Sequence, residues 1–435
     1  MTNRVPVWFD ALHVGDIEVG VDGDLGFEYT HNWIATRGAF PLSVTMPVSA
    51  QKIPSEIISP WLANLLPEEE QLSILTRSLG LNQADSLAVL QEIGGDTAGA
   101  LSFGAKSAPA DWAYTPLAEF YGTRDQETAL ARHFEDLALR PFLVGEEGVR
   151  VSLAGGQRKT ALAVLDANGQ PVLRLPRERD VLAIPRNGAP STLILKPDNP
   201  ILPGIVENEN YCLHLARAIG IASSDATIIR AGTRKAIAVL RYDRYLTRSG
   251  TIQRVHQEDF AQANQFPPGR KYERGTVTGV NLPTLLRTAR HISPVDALAL
   301  LDQLLFNILV ANTDAHAKNY SLLLPIGAAP RLAPLYDVST VLPWPQVNQY
   351  LAQTIAGKKR KPGDIAPRHW EDIARAGGFR PADVQSRVVE LVDAMVAQRV
   401  AVSDTVSAMP ASTKGYVEEA ARLIEENALR IVGRI

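Results

Sequence analysis

The segment Ala297–Ala311, ALALLDQLLFNILVA, constrains the fold more than any other stretch of this chain. It is apolar almost throughout. Yet Asp302, Gln303 and Asn307 interrupt it, and it falls short of the roughly 20 residues that cross a bilayer. The pattern therefore predicts a helix buried in protein, not in lipid. A polar, chemistry-rich loop follows, ANTDAHAKNY at 311–320, and then an apolar strand pattern at Tyr320–Leu324. A buried helix handing a polar loop to a strand is a scaffold on which a site can be built.

The rest of the chain supplies the setting. Its 435 residues, 46% apolar and 21% charged, are enough for two or three globular domains. Lys plus Arg number 44 and Asp plus Glu 47, a net charge of −3, which excludes a chain that is basic overall but not a local basic patch. A single cysteine, Cys212, excludes an intrachain disulfide or a zinc ribbon and fits a reducing, cytoplasmic location. The opening MTNRVPVWFDALHVGD lacks the apolar core of a signal peptide.

In the first 150 residues, Val5–Phe9, Ile17–Val21 and Leu42–Met46 read as strands, with helices at Trp61–Leu66 and Glu68–Leu79. Ala105–Tyr114 reads as a linker. Val149–Leu153 and Ala161–Leu165 flank the turn AGGQRKT and predict a hairpin over a ligand. Ser191–Lys196 and Ala236–Leu240 read as strands, separated by a helix at Glu207–Ala218. Beyond Asn281 the spacing is helical at 282–289, 294–310, 381–400 and 413–432.

Asp314 and Asn319 stand in the spacing D-x-x-x-x-N, which protein kinases use for a catalytic base and a metal-binding amide. A carboxylate and an amide oxygen at that distance on one loop can face one phosphate. Asp337, in RLAPLYDVS, follows a second short strand and a turn, and a hairpin would return it beside Asn319. Mg²⁺ prefers such oxygen ligands. Upstream, Gly155–Gly156 lies where a phosphate-covering loop belongs, Lys196 ends an apolar strand, and Glu209 falls on the next helix, where it would orient Lys196. Singly, each has an ordinary reading: a turn cap, a hairpin turn, a solvated strand end, a surface charge. His316 suits either a phosphate contact or a backbone hydrogen bond, and Lys318 either a phosphate charge or solvent. The order of the five (glycine loop, strand Lys, helix Glu, D-x-x-x-x-N, Asp) is the kinase order.

With VSLAGGQRKTAL, AVLRYDR, HQEDF, NTDAHAKNYSLL and LAPLYDVS in view, and VWFDALHVGDIEV, LLPEEE and EIGGDTAGAL before them, the chain resembles the HipA family, toxin kinases of HipBA-type toxin–antitoxin modules. The resemblance spans essentially the whole chain. It implies an α+β, two-lobed fold related to protein and phosphoinositide kinases. An N-terminal α/β subdomain would occupy 1–145, an ATP-binding part 146–245 and a helical lobe 246–435. It implies a Ser/Thr protein kinase using ATP and Mg²⁺, with Asp314 as base and Asn319 and Asp337 holding the metal. Ala154, Gly155, Gly156, Gln157, Arg158 and Lys159 would cover the phosphates that Lys196 contacts. His316 would join the nucleotide site. Leu240, Arg241 and Tyr242 would form the adenine hinge, with Asp243 near the ribose. Gln257–Phe260 would be a loop that orders in the active enzyme. Ser152 would be the autophosphorylated, self-inactivating serine, a role that suits the repulsion of a dianion beside bound phosphates.

The resemblance also implies partners: a HipB-like helix-turn-helix antitoxin, operator DNA reached through that complex, and a protein substrate of the aminoacyl-tRNA synthetase class. The basic run Lys358, Lys359, Arg360, Lys361 is the candidate DNA contact; most such runs are simply solvated. Two rivals stand beside the toxin-kinase reading. One is a DNA-bound corepressor or scaffold with vestigial activity, which the presence of Lys196, Asp314, Asn319 and Asp337 opposes. The other is a small-molecule kinase.

Overall fold

The computed structural model describes residues 3–273 and 278–434. Val5–Phe9 lies in β1 (Asn3–Phe9), which pairs antiparallel with β2 (Leu12–Val19). The third strand is β3 (Leu25–Tyr29), not Leu42–Met46, and β4 (Leu101–Phe103) completes a sheet ordered β3–β2–β1–β4. Leu42–Met46 finds side-chain partners instead of a ladder. Leu42 N donates to Tyr29 Oη at 2.7 Å, Tyr29 Oη donates to Met46 O at 2.6 Å, and Val44 N donates to Glu258 Oε1 at 2.8 Å. The helices Ser55–Ala63 and Glu69–Leu79 pack with this sheet in one core, the second ending at left-handed Gly80.

A seven-stranded antiparallel sheet follows. It comprises β5 (Ala113–Pro116), β6 (Thr160–Leu165), β7 (Pro171–Val172), β8 (Val181–Arg186), β9 (Leu193–Pro197), β10 (Ala226–Ala231) and β11 (Arg234–Leu240). Its order is β10–β11–β9–β6–β8–β5, with β7 on β6. β5 carries the chain into this sheet before residue 145, so residue 145 does not coincide with a sheet boundary. The expected hairpin of Val149–Leu153 with Ala161–Leu165 does not form. β6 pairs with β9 and β8, while Val151 makes one parallel bridge to Asp96 and Gly155 another to Pro67. The glycine turn is therefore held by the N-terminal region.

A hairpin of β12 (Arg244–Leu246) and β13 (Ile252–Arg254) leads to a three-stranded sheet of β14 (His256–Asp259), β15 (Ser321–Leu324) and β16 (Arg331–Leu332). Gln257–Asp259 is thus strand, not loop, because β15 supplies its ladder. The predicted buried helix is Pro294–Leu309, with Ser293 Oγ accepting from Asp296 N at 3.0 Å as its cap. Leu300, Leu305, Phe306 and Leu309 are at most 0% exposed, and each such side chain contributes about 1.5–3 kcal/mol of burial. Helices Leu282–Ile292, Pro367–Gly377, Pro381–Ser407 and Lys414–Val432 surround it. Among the described residues no helix is long and apolar enough to cross a membrane.

The large sheet separates two cores. On β11, Ala236 and Ala238 face the core shared with the N-terminal sheet, whereas Ile237 and Val239 face the helical core. That period of two is the strand's own. Lys196 on neighbouring β9 is paired with Ile237.

Candidate active site

A cavity of about 390 Å³ lies between the large sheet and the helical part. Of the predicted nucleotide-site residues, Ala154, Gly155, Gly156, Gln157, Lys159, Lys196, Glu209, Leu240, Arg241, Tyr242, Asp243, Asp314, His316, Asn319 and Asp337 line it. Residues up to 183 positions apart in sequence thus share one space. Arg158 is exposed and does not line it, and Ser152 lies buried just outside, its hydroxyl donating to Leu65 O at 2.7 Å.

The loop 311–320 is shaped by its own asparagines. The buried helix ends at Val310, and Ala311 takes a left-handed φ of 58°. Asn312 Nδ2 donates to Asn307 Oδ1 at 2.9 Å, and Asn312 Oδ1 accepts from Asp314 N at 3.1 Å. Asn319 Nδ2 donates to Asp314 O at 2.9 Å, which ties the two ends of D-x-x-x-x-N together. With its nitrogen committed, the amide oxygen of Asn319 is the atom left for a cation. Asp314 opens into the cavity, where Tyr272 Oη donates to its Oδ1. Crowding pushes its carboxyl up, the Tyr272 bond pulls it down, Asp337 adds to the rise, and the net direction is upward.

Lys196 is the hinge of the charge arrangement. Its Nζ donates to Glu209 Oε1 at 2.7 Å and to Asp337 Oδ1 at 2.6 Å. Burial opposes its charge, but the two carboxylates raise its ammonium above the ordinary value. Burial opposes Asp337 too, yet Lys196 and Lys159 hold its carboxyl low, while enclosure pushes Glu209 up. Burial brings the Lys159 amine down to about 8; that amine caps Ala154 O at 2.5 Å. Burial and neighbouring Lys271 keep His316 well below its ordinary value, so its ring is neutral. His316 Nδ1 and Ser224 Oγ, both on the cavity wall, are buried with no partner among the described residues, as groups awaiting a ligand are.

These donors fit a hard divalent cation. Asp337 and Asn319 offer one carboxylate and one amide oxygen, and Mg²⁺ completes its shell with water and phosphate. Among the described residues no group of three His, Cys, Asp or Glu stands ready to hold a metal, so two protein oxygens and a ligand's phosphates would share the task.

Several expectations change. Asp243 lines the cavity, but its carboxylate is taken by Arg241, at 3.0 and 2.7 Å, and by Gly99 N at 2.8 Å. It has no oxygen to spare for a ribose, and Arg241 likewise points into the fold. Both belong to a buried cluster in which Arg241, Arg244 and Arg254 meet Asp10, Asp96 and Asp243. Gly99 serves that cluster with φ +96°, and a Cβ there would lie 2.9 Å from Gln257 N. Lys318 is neither solvated nor aimed at phosphate: it is buried, with Nζ bonded to Asn64 O and Oδ1 at 2.8 Å and to Asp259 Oδ2 at 3.0 Å. Lys358–Lys361 lie away from the cavity. Lys359 caps Leu351 O at 3.1 Å and Arg360 caps Ile355 O at 2.9 Å, so two of these four heads turn onto their own loop. Lys358 and Lys361 are exposed.

Sequence reasoning missed the contribution of LLPEEE and of Gln71 directly after it. Gln71 Nε2 donates to Gly156 O at 2.8 Å and Gln157 O at 2.7 Å, and Glu68 N donates to Gly155 O at 3.3 Å. Glu68 also pairs with Lys271. The N-terminal region thereby holds the glycine loop in place. No local signal links residues 85 positions apart.

Replacing Lys196 with Met should abolish nucleotide binding and lower stability by about 3 kcal/mol, because Glu209 and Asp337 lose their buried counter-charge. Adding Glu209→Gln should restore most of the stability and none of the binding. Denaturant melts and ATP titrations separate the two effects, and full stability in the single variant would contradict the ion-pair account.

Known proteins resemble this chain over most of its length. Residues 151–399 match the HipA-like C-terminal domain, and residues 5–104 match the HipA N-terminal domain. Y4mE of Sinorhizobium fredii is 36% identical over 90% of each chain. The serine/threonine-protein kinase toxin HipA of Shewanella oneidensis is 31% identical over 79% of this chain and 78% of its own. The solved complex of Shewanella oneidensis HipA, HipB and operator DNA contains a chain that superposes with a TM-score of 0.78 at 25% identity, covering 99% of this chain and 97% of that one. The two-lobed α+β fold, the two matched domains and the assembled Lys196, Glu209, Asp314, Asn319 and Asp337 converge: this chain belongs to the HipA family, and its enzyme class is that of the serine/threonine-protein kinases.

Proposed function

We propose that this chain is the toxin of a toxin–antitoxin module and phosphorylates a protein Ser or Thr from ATP. The observation that carries the proposal is the Lys196 ammonium held between Glu209 and Asp337 in the same cavity as Asp314 and Asn319. Leu240 and Tyr242 on the cavity wall receive the adenine. Backbone N–H groups of Ala154–Lys159 and the ammonium groups of Lys159 and Lys196 take the phosphates, and neutral His316 offers one more contact. Asn319 and Asp337 would hold Mg²⁺, which would neutralise charge on the transferred group. Asp314 then accepts the acceptor hydroxyl's proton as that oxygen bonds to the γ-phosphorus and the bond to the β,γ-bridging oxygen breaks, releasing ADP. Positioning and charge do most of the work in such a transfer.

Ser152 is the self-inactivation site in this reading. Its hydroxyl is buried against Leu65, so modification requires the segment to leave that seat, and a phosphate cannot return to it without stranding a dianion. The antitoxin is HipB-like, the complex sits on operator DNA in the cytoplasm, and Lys358 and Lys361 add phosphate contacts without sequence reading. The target is of the aminoacyl-tRNA synthetase class.

Incubation with γ-labelled ATP and Mg²⁺ tests the proposal. Label is expected on protein, on this chain at Ser152 when no other acceptor is present. Label confined to inorganic phosphate or to a small molecule would replace the reading with a hydrolase or small-molecule kinase.

A further inference from the structure

Lys271 and Tyr272 line the cavity, and the segment Lys271–Glu273 is tied down at both ends. Lys271 O accepts from Ala317 N, inside the catalytic loop, at 3.2 Å, and Lys271 Nζ pairs with Glu68. The Glu273 carboxylate accepts from Thr354 N at 2.9 Å and from Thr354 Oγ1 at 2.8 Å. Between these ties Tyr272 reaches inward, and its hydroxyl donates to Asp314 Oδ1. Its ring stands edge-on to His316, centroids 4.9 Å apart at 84°, and the Lys271 ammonium lies 5.4 Å from the ring centre. The phenol is therefore placed by several contacts, not by one.

A hydroxyl donating to Asp314 is the arrangement that a Ser or Thr acceptor must adopt before transfer, since a general base has to lie within hydrogen-bond reach of the proton it takes. We propose that the space between Tyr272, His316 and Asp314 is the acceptor subsite, and that Tyr272 holds it in the resting enzyme as a placeholder for the incoming hydroxyl. This rests on the kinase reading above and adds to it a competition. The protein acceptor must displace Tyr272 from Asp314, so the Lys271–Glu273 segment sets the acceptor's apparent affinity and leaves that of ATP alone.

The test uses the full chain, ATP–Mg²⁺ and myelin basic protein as a generic Ser/Thr acceptor. Tyr272→Phe keeps the ring and removes the hydroxyl. It should lower the KM for the acceptor at least fivefold with the KM for ATP unchanged. Thr354→Val, which loosens the far tie, should move the acceptor KM the same way without touching Asp314. A Tyr272→Phe enzyme with reduced kcat and unchanged acceptor KM would overturn the proposal and make Tyr272 a positioning residue for the base. An active wild type unaffected by either substitution would overturn it as well. Absence of transfer in every variant would overturn the kinase reading, and this proposal with it.

Discussion

Replacing Asp314 with Asn is expected to slow phosphoryl transfer by about 10²–10⁴-fold, the usual worth of a positioned general base. The substitution keeps the shape of the side chain and an oxygen that accepts from Tyr272. It removes the proton acceptor and one negative charge near Asp337. ATP affinity should therefore stay within a few-fold, and thermal stability should hold. Initial rates of self-phosphorylation beside ATP titrations check both halves. A variant that turns over normally would remove Asp314 from its role, and one that loses ATP binding in proportion would make Asp314 a binding residue.

Asp96→Asn should destabilise the fold by about 3–5 kcal/mol, the cost of leaving a buried charge unpaired. Asp96 Oδ1 accepts from Arg244 at 2.8 Å and Arg254 at 3.0 Å, and Oδ2 accepts from Ser191 Oγ at 2.6 Å. Three guanidinium groups balance three carboxylates here, and the substitution leaves one positive charge in excess. The half-buried pair Arg234–Asp198, also at 2.8 Å but open to solvent on one side, is the contrast: Asp198→Asn should cost about 1 kcal/mol or less. The pH dependence follows from the same geometry. Burial works against the Asp96 charge, but Arg244, Arg254 and Arg241 outweigh it and hold the carboxyl below its ordinary value of 3.8. Its stabilisation is thus complete above that ordinary value and is lost as pH falls through the lower folded value. Wild type and Asp96→Asn should differ most near neutrality and converge in strong acid. Urea midpoints across pH measure this, and a constant difference at every pH would contradict it.

The parts of the site that were legible in the sequence are those carried by local spacing. D-x-x-x-x-N is read within one loop, and Lys196 and Glu209 lie on a strand and the helix directly after it. The buried helix before the loop was plain because its apolar run has one length and one interpretation. What escaped is what depends on long-range pairing. Arg241 and Asp243 are charged residues beside a hinge, so they suggest nucleotide contacts. Only the fold reveals that they pair with each other, and that Asp96, 145 positions from Arg241, and Gly99 N, 144 positions from Asp243, complete their partners. Val149–Leu153 has strand composition, but its partners lie at Asp96 and Leu65, which no local pattern names. Lys318 shows the same limit: next to Asn319 it suggests phosphate, yet Asn64 and Asp259 close over it.

Transfer of phosphate from ATP to protein is the act this cavity is proposed to perform. Intact mass with peptide mapping, on wild type and Asp314→Asn expressed in parallel and then incubated with ATP and Mg²⁺, decides it. The prediction is one added phosphate on Ser152 in wild type and none in Asp314→Asn. Unmodified chains in both samples, or the same phosphate in both, would contradict it.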